Sequence, residues 1–379
     1  MNKKHIVSAC VALVGLSAFA AAQAQTNTTL YGLVDYGYTY RWDAKAPGTG
    51  TPSSQSQLNG GQSAENRIGF KGTEDLGNGL KAVFLLEQGF MLDTGAQQQS
   101  NSAFSRQAYV GLSGDFGTVI GGRLITPHYN FVSSIDPFSA GTVGRYNNVY
   151  SPLAAYASVY GTVTDPIRVD NAVQYTSPTF GGFNATAIYS NNAFGQESSA
   201  GNAGNNTLYG VLVKYVQGPF TAGVNYHYGA AGTTGVATAF DNVQNVAVGG
   251  SYDFKVAKVS ALYAYNDVKF GTANTNNATL NNYLIGVTAP FGKWVGKASY
   301  QFSDGNSTAG GDAQQFALGV DYNLSKRTAF YTAYSFIDNQ GNRVAAVNDA
   351  SNSGAYAGGN YSSAGVFQQG VQAGLRHSF

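Results

Sequence analysis

The sequence predicts an all-β chain, a transmembrane antiparallel β-barrel of sixteen strands, and three observations lead there. Apolar and polar residues alternate with period two over stretches of about ten residues, the length a tilted strand needs to cross a bilayer. The connections between these stretches alternate between short and long. Charged residues make up only 11% of the chain, while Gly numbers 49 and Tyr 26; an ordinary soluble domain carries about 25% charge.

In chain order, the first element is a leader. Met1-Asn2-Lys3-Lys4 precedes an apolar run from Ile6 to Ala22, followed by Ala22-Gln23-Ala24. A basic start, a short apolar core and an A-x-A site are the parts of a secretory signal peptide. We expect residues 1–24 to be removed and residues 25–379 to form a single barrel domain. Cys10, the only cysteine, leaves with the leader, so an exported chain must be stabilised without disulfides. Lys+Arg number 21 and Asp+Glu 20, and this balance gives no electrostatic footprint for nucleic acid.

The strands then declare themselves by face. Leu30, Val34, Tyr36, Tyr38 and Tyr40 share one face, and Tyr31, Asp35, Thr39 and Arg41 the other. The same alternation runs through Phe220 to Tyr228, Asn282 to Phe291 and Lys293 to Phe302, and in the last strand Val371, Ala373, Leu375 and Phe379 oppose Gln372, Arg376 and Ser378. Short connections rich in Gly, Pro and Asn/Asp fall at 74–79, 113–117, 177–182, 217–219, 253–255, 290–293 and 323–326. Long ones fall at 42–64, 93–102, 126–166, 191–206, 229–241, 268–278, 304–311 and 338–365. Eight long loops and seven short turns join sixteen strands. Short periplasmic turns and long outer loops give this sorting, which a soluble sandwich has no reason to show.

The connection 126–166 stands apart. It has no sustained period, four of the nine prolines and abundant Tyr, Phe and Val. So apolar a loop is no solvated linker and needs an enclosed place to sit. As the third outer loop, it is expected to fold into the lumen.

Several short runs, spread in order over the chain, resemble the Gram-negative general-diffusion porin family. They are Leu30-Tyr31-Gly32, Arg67-Ile68-Gly69-Phe70-Lys71-Gly72-Thr73-Glu74-Asp75-Leu76-Gly77, Phe104-Ser105-Arg106-Gln107-Ala108-Tyr109-Val110-Gly111-Leu112, Gly121-Gly122-Arg123, Ser177-Pro178-Thr179-Phe180-Gly181-Gly182-Phe183 and Gly374-Leu375-Arg376-His377-Ser378-Phe379. The resemblance implies an outer-membrane homotrimer in contact with lipid and lipopolysaccharide. It also implies a third loop that narrows the pore opposite a basic wall, and a terminal aromatic, Phe379, read by the barrel assembly machinery. The acidic Pro-Glu-Phe-Gly-Gly run of the enterobacterial members is absent, and Asp136-Pro137-Phe138 is the nearest analogue.

On this reading Arg67 and Lys71 face the lumen by alternation with Ile68 and Phe70. Arg106 and Arg168 match the family's other wall arginines, and Glu87 buttresses them. Asp136 and Asp165 are the acidic groups expected on the loop, and Arg123 is expected at a subunit contact. A cluster of this kind selects by width and field, and we expect a general-diffusion channel for small hydrophilic solutes and ions with weak to moderate anion preference. A substrate-specific channel and a structural or adhesive barrel are the alternatives. An enzyme would need a histidine beside a nucleophile or acid, and His128, His227 and His377 have no such neighbours in recognisable spacing. No metal-ligand spacing or phosphate-binding glycine loop is present, so no cofactor is expected.

Overall fold

The computed structural model describes residues 27–43, 54–150, 166–193, 206–230, 241–269, 277–350 and 365–379. The leader and Asp165 lie outside these residues. The first half of the wall is β1 (Asn27–Asp43), β2 (Ser54–Gly60), β3 (Arg67–Gly77), β4 (Leu80–Gly89), β5 (Gln107–Gly114), β6 (Gly117–Ile125), β7 (Arg168–Thr176) and β8 (Phe183–Ser190). The second half is β9 (Leu208–Gln217), β10 (Phe220–Ala230), β11 (Asn242–Asp253), β12 (Lys258–Lys269), β13 (Ala278–Phe291), β14 (Trp294–Gly305), β15 (Ala313–Asn323), β16 (Thr328–Asn339) and β17 (Phe367–Ser378). From β3 onward each segment pairs antiparallel with the next, and β17 returns to β1 with Leu33 opposite Ser378 and Asp43 opposite Gln368. Closure leaves no strand edge in hydrocarbon, where an unpaired backbone group costs several kcal/mol.

These seventeen segments make sixteen wall strands, because β2 and β3 share one edge of β1. β2 lies against Tyr36–Trp42 and β3 against Asn27–Leu33. Ser54–Gly60 is therefore wall, where the sequence reading had a loop over 42–64. Residues 61–66 leave the wall between the two halves and turn inward. Asp35, on β1, holds them there. Its carboxylate accepts from the Ser63 and Ala64 N–H groups at 3.0 Å each, its carbonyl accepts from Gly61 N at 2.8 Å, and its own N–H donates to Asn66 Oδ1 at 2.6 Å.

The two faces separate as the alternation requires. Leu30, Tyr36, Tyr38, Val224, Tyr283, Ile285, Leu318 and Phe330 are exposed on the outer, lipid-facing side. Asp35, Thr39, Asn225, Ser303 and Gln372 are buried on the inner side. Short turns use the backbone freedom that hairpins need: Asn78 and Gly79, at φ 52° and 77°, form the β3–β4 turn with the positive φ pair of a type I′ hairpin.

The third loop carries regular structure that its lack of period concealed. It contains a helix, α1 (Pro127–Ile135), and a single helical turn, α2 (Asn147–Tyr150). Thr126 caps α1, accepting from Tyr129 N at 3.1 Å, and Pro127 takes the first position, where a missing N–H costs nothing.

Candidate functional site: a constriction between loop and wall

Loop 3 lies against the inner wall because the wall offers it an apolar strip. Phe131, Val132 and Ile135, on one face of α1, are buried with Tyr146, Tyr150 and the wall residues Leu212, Ala247, Leu262, Ala264 and Leu284. Each such side chain contributes about 1.5–3 kcal/mol when fully removed from water. Glycines make room for the largest groups. An added Cβ would sit 2.6 Å from the Phe131 ring at Gly223 and 2.7 Å from Phe138 at Gly319, and at Gly286 it would overlap the Pro137 ring. Polar residues complete the seating. His128 Nδ1 is 3.0 Å from Asn225 Oδ1, and Asn245 donates to the Tyr150 hydroxyl at 2.9 Å.

Asp136 serves the loop itself. Its carboxylate accepts from the N–H groups of Phe138 (3.0 Å), Ala140 (2.9 Å) and Tyr146 (3.1 Å) and is almost wholly buried. The expected acidic tip facing the arginines is thus turned inward, holding the bend between α1 and α2. Burial pushes the carboxyl up to about 6, against the pull of those three donors and of Arg145. His128 is shifted the other way, to about 4, because burial disfavours the imidazolium more than its Asn225 contact favours it.

The basic groups gather on the opposite wall. Arg106, just before β5, pairs with Glu87 of β4 at 2.7 Å and also with Glu65. Arg168, opening β7, donates to Glu65 at 2.5 Å. Arg67 on β3 lies 3.8 Å from Glu87, and Lys71 stands 5.3 Å from the centre of the Tyr31 ring, whose hydroxyl donates to Glu87 at 2.8 Å. Three guanidiniums thus meet two carboxylates, and one ammonium stands beside them. Loop 3 faces this cluster with Tyr129, an electrostatic neighbour of both Arg106 and Arg168.

Glu65 did not emerge from the sequence, because it lies on the segment that breaks the second wall strand and belongs to no alternating face. Arg123, expected at a subunit contact, has its guanidinium engaged within its own chain by Asp170, the Ser105 carbonyl (2.7 Å) and Gln99 (3.2 Å). A further inward-folded segment, 341–350, was also missed. The Gln62 carbonyl accepts from Thr142 N of loop 3 and from Ala350 N, each at 3.0 Å. Arg343, fully buried, donates to the Val149 carbonyl in α2 of loop 3 (2.7 Å), and Arg41 pairs with Asp349 at 2.7 Å. Residues 61–66, loop 3 and 341–350 therefore brace one another inside the barrel. Among the described residues no group of three or more His, Cys, Asp or Glu could hold a metal ion.

Known proteins share this plan. The Gram-negative porin family model matches residues 9–342. Outer membrane porin protein 32 of Delftia acidovorans is 36% identical over 374 residues, covering 97% of this chain and 99% of that protein. An outer membrane porin protein of Bordetella pertussis is 33% identical over 379 residues, covering 89% of this chain and 94% of that protein. Among solved structures, an anion-selective porin from Comamonas acidovorans superposes with a TM-score of 0.76 at 31% identity, covering 94% of this chain and all of that one. A closed sixteen-strand barrel, its apolar outer face, an inward third loop and these likenesses lead to one conclusion: the chain belongs to the Gram-negative porin family, and it is an outer-membrane general-diffusion porin.

Proposed function

We propose that the pore favours small anions weakly to moderately, and that Arg67, Lys71, Arg106 and Arg168 supply the preference. The carrying observation is the loop side of the constriction. Asp136, the one loop acid expected to balance the wall and present among the described residues, is engaged with three backbone donors of its own loop. The wall cluster retains a positive excess, since Glu65 and Glu87 answer three arginines and the Lys71 ammonium stands beside them over the Tyr31 ring. Two unit charges 5 Å apart interact by about 3 kcal/mol at an effective dielectric of 20. That is enough to shift local ion concentrations severalfold in a narrow wet passage. The similarity to a porin described as anion-selective points the same way.

Reversal potentials across a salt gradient in a planar bilayer test this reading. Anion preference that falls on Arg106→Ala is expected; cation preference, or no change on that substitution, overturns it.

The finer assignments belong to the same proposal. Residues 1–24 act as a cleaved leader and 25–379 form one barrel domain. The native assembly is a homotrimer among lipid and lipopolysaccharide, with Phe379 as the signal to the assembly machinery, and the channel has no enzymatic activity. Phe379 is exposed on the outer face, its backbone paired with Gly32 at 3.0 and 3.1 Å, where a receptor can read the ring before closure.

A further inference from the structure

The outer wall carries an apolar groove where β14 to β17 approach the periplasmic end. It encloses about 540 Å³ and is lined by Trp294, Val320, Tyr322, Phe330, Thr332, Ala373 and Leu375, among others. The registers explain its shape. Trp294, Tyr322, Phe330 and Leu375 stand opposite one another in successive strands and form a bulky row at the rim. One register step further into the wall the row is Gly296, Val320, Thr332 and Ala373, which are smaller. A hollow therefore lies beneath an aromatic collar, at the depth where acyl chains begin.

Charge is placed at one end only. Lys293 precedes Trp294 in the β13–β14 turn, and Lys326 and Arg327 lie in the β15–β16 turn; all three are exposed. The turns sit side by side, since Asn323 N donates to the Lys293 carbonyl at 2.8 Å and Ser378 N to the Arg327 carbonyl at 2.9 Å. Among the described residues none of the three enters an ion pair. Asp321, the acid of β15 between Val320 and Tyr322, faces the lumen and is taken by Lys297 at 2.8 Å and Arg376 at 3.6 Å.

We propose that this groove binds an anionic phospholipid of the periplasmic leaflet, with one acyl chain in the hollow and the phosphodiester at Lys293, Lys326 and Arg327. An apolar slot with unpaired cations at its water-side end matches an amphiphile with an anionic head. A second copy of the chain would cover the hollow and leave the cations unanswered.

The test uses the full folded barrel in mild detergent, with lipid retention read by native mass spectrometry. Phosphatidylglycerol and phosphatidylcholine of matched chains are the probes, and heat-modifiable migration confirms folding. A cation near a membrane surface favours an anionic headgroup roughly fivefold, so wild type is expected to retain phosphatidylglycerol at least about tenfold better. The triple variant Lys293→Gln, Lys326→Gln, Arg327→Gln is expected to lose that preference with conductance unchanged. Ala373→Trp, which fills the hollow, is expected to lose both lipids. Equal retention of the two lipids by wild type, or undiminished preference in the triple variant, overturns the proposal. So does an Ala373→Trp barrel that dissociates into single subunits while lipid retention persists, since the groove is then a subunit contact. The triple variant changes exposed turn residues only, so the test survives if Ala373→Trp fails to fold.

Discussion

Glu65 and Arg168 meet at 2.5 Å although 103 positions separate them, and they meet because the second wall strand is broken. Residues 61–66 leave the wall under the hold of Asp35 and carry the Glu65 carboxylate to Arg168 and Arg106. Glu65→Gln keeps the shape of that side chain and removes its charge. Anion preference is then expected to rise severalfold, read as a shift of the reversal potential in a salt gradient. An unchanged potential, or a shift toward cations, would mean that ions pass elsewhere.

Asp35 gives a second, independent handle on the same charge. Besides the Ser63 and Ala64 N–H groups, its carboxylate accepts the Tyr331 hydroxyl at 2.7 Å. Asp35→Ala leaves buried donors without an acceptor, at about 1–3 kcal/mol each. The expected result is a lower denaturant midpoint for the barrel together with a selectivity change in the same direction as Glu65→Gln. Lost stability with unaltered selectivity would separate the segment from the pore.

The wall glycines under loop 3 make a geometric prediction. Valine at Gly223 brings a Cβ to 2.6 Å from Phe131, and valine at Gly286 overlaps Pro137, so the loop must move off the wall, toward the middle of the lumen. Overpacking of this kind costs about 1–3 kcal/mol. Single-channel conductance is expected to fall in Gly223→Val and Gly286→Val. Conductance at the wild-type level would show that the loop does not bound the passage.

How far the sequence reaches is clear from particular residues. Period two set Leu30 and Tyr36 on one face and Asp35 and Thr39 on the other, and the structure puts the first outside and the second inside, because each wall residue has lipid or lumen as its surroundings and little between. Loops answer to partners that pattern does not name. The Thr126-Pro127 start of α1 was a readable helix signal, hidden by the lack of any long period after it. Asp136 was readable as an aspartate bonding two residues ahead, to Phe138 N, and hence as a turn former in place of an ion-facing acid. Glu65 had no such local mark: its two arginines come from β7 and from the approach to β5, and only the inward turn of residues 61–66 brings it to them.

Opposed titrations inside loop 3 lead to the last prediction. Asp136 is raised to about 6 from its ordinary 3.8, so the seated loop binds the proton more tightly than a released loop does. Its contribution therefore strengthens seating as pH falls from 6 toward 4 and is lost above 6. His128 is lowered to about 4 from 6.5, so its contribution is full above 6.5 and is lost as pH falls toward 4. Among the described residues, His227, with ring centroids 4.6 Å apart, and the Tyr150 hydroxyl, 3.4 Å from Nε2, stand against His128, and Arg145 acts on Asp136. Shifts of this size are each worth about 3 kcal/mol, and they nearly cancel between pH 4 and 6. Wild-type conductance fluctuations are thus expected to change little over that window. Asp136→Asn removes one side of the balance, and its loop should loosen on acidification from pH 6.5 to 4. His128→Asn removes the other, and its loop should tighten over the same range. Flat profiles in both variants would show that neither group titrates with the seating of the loop.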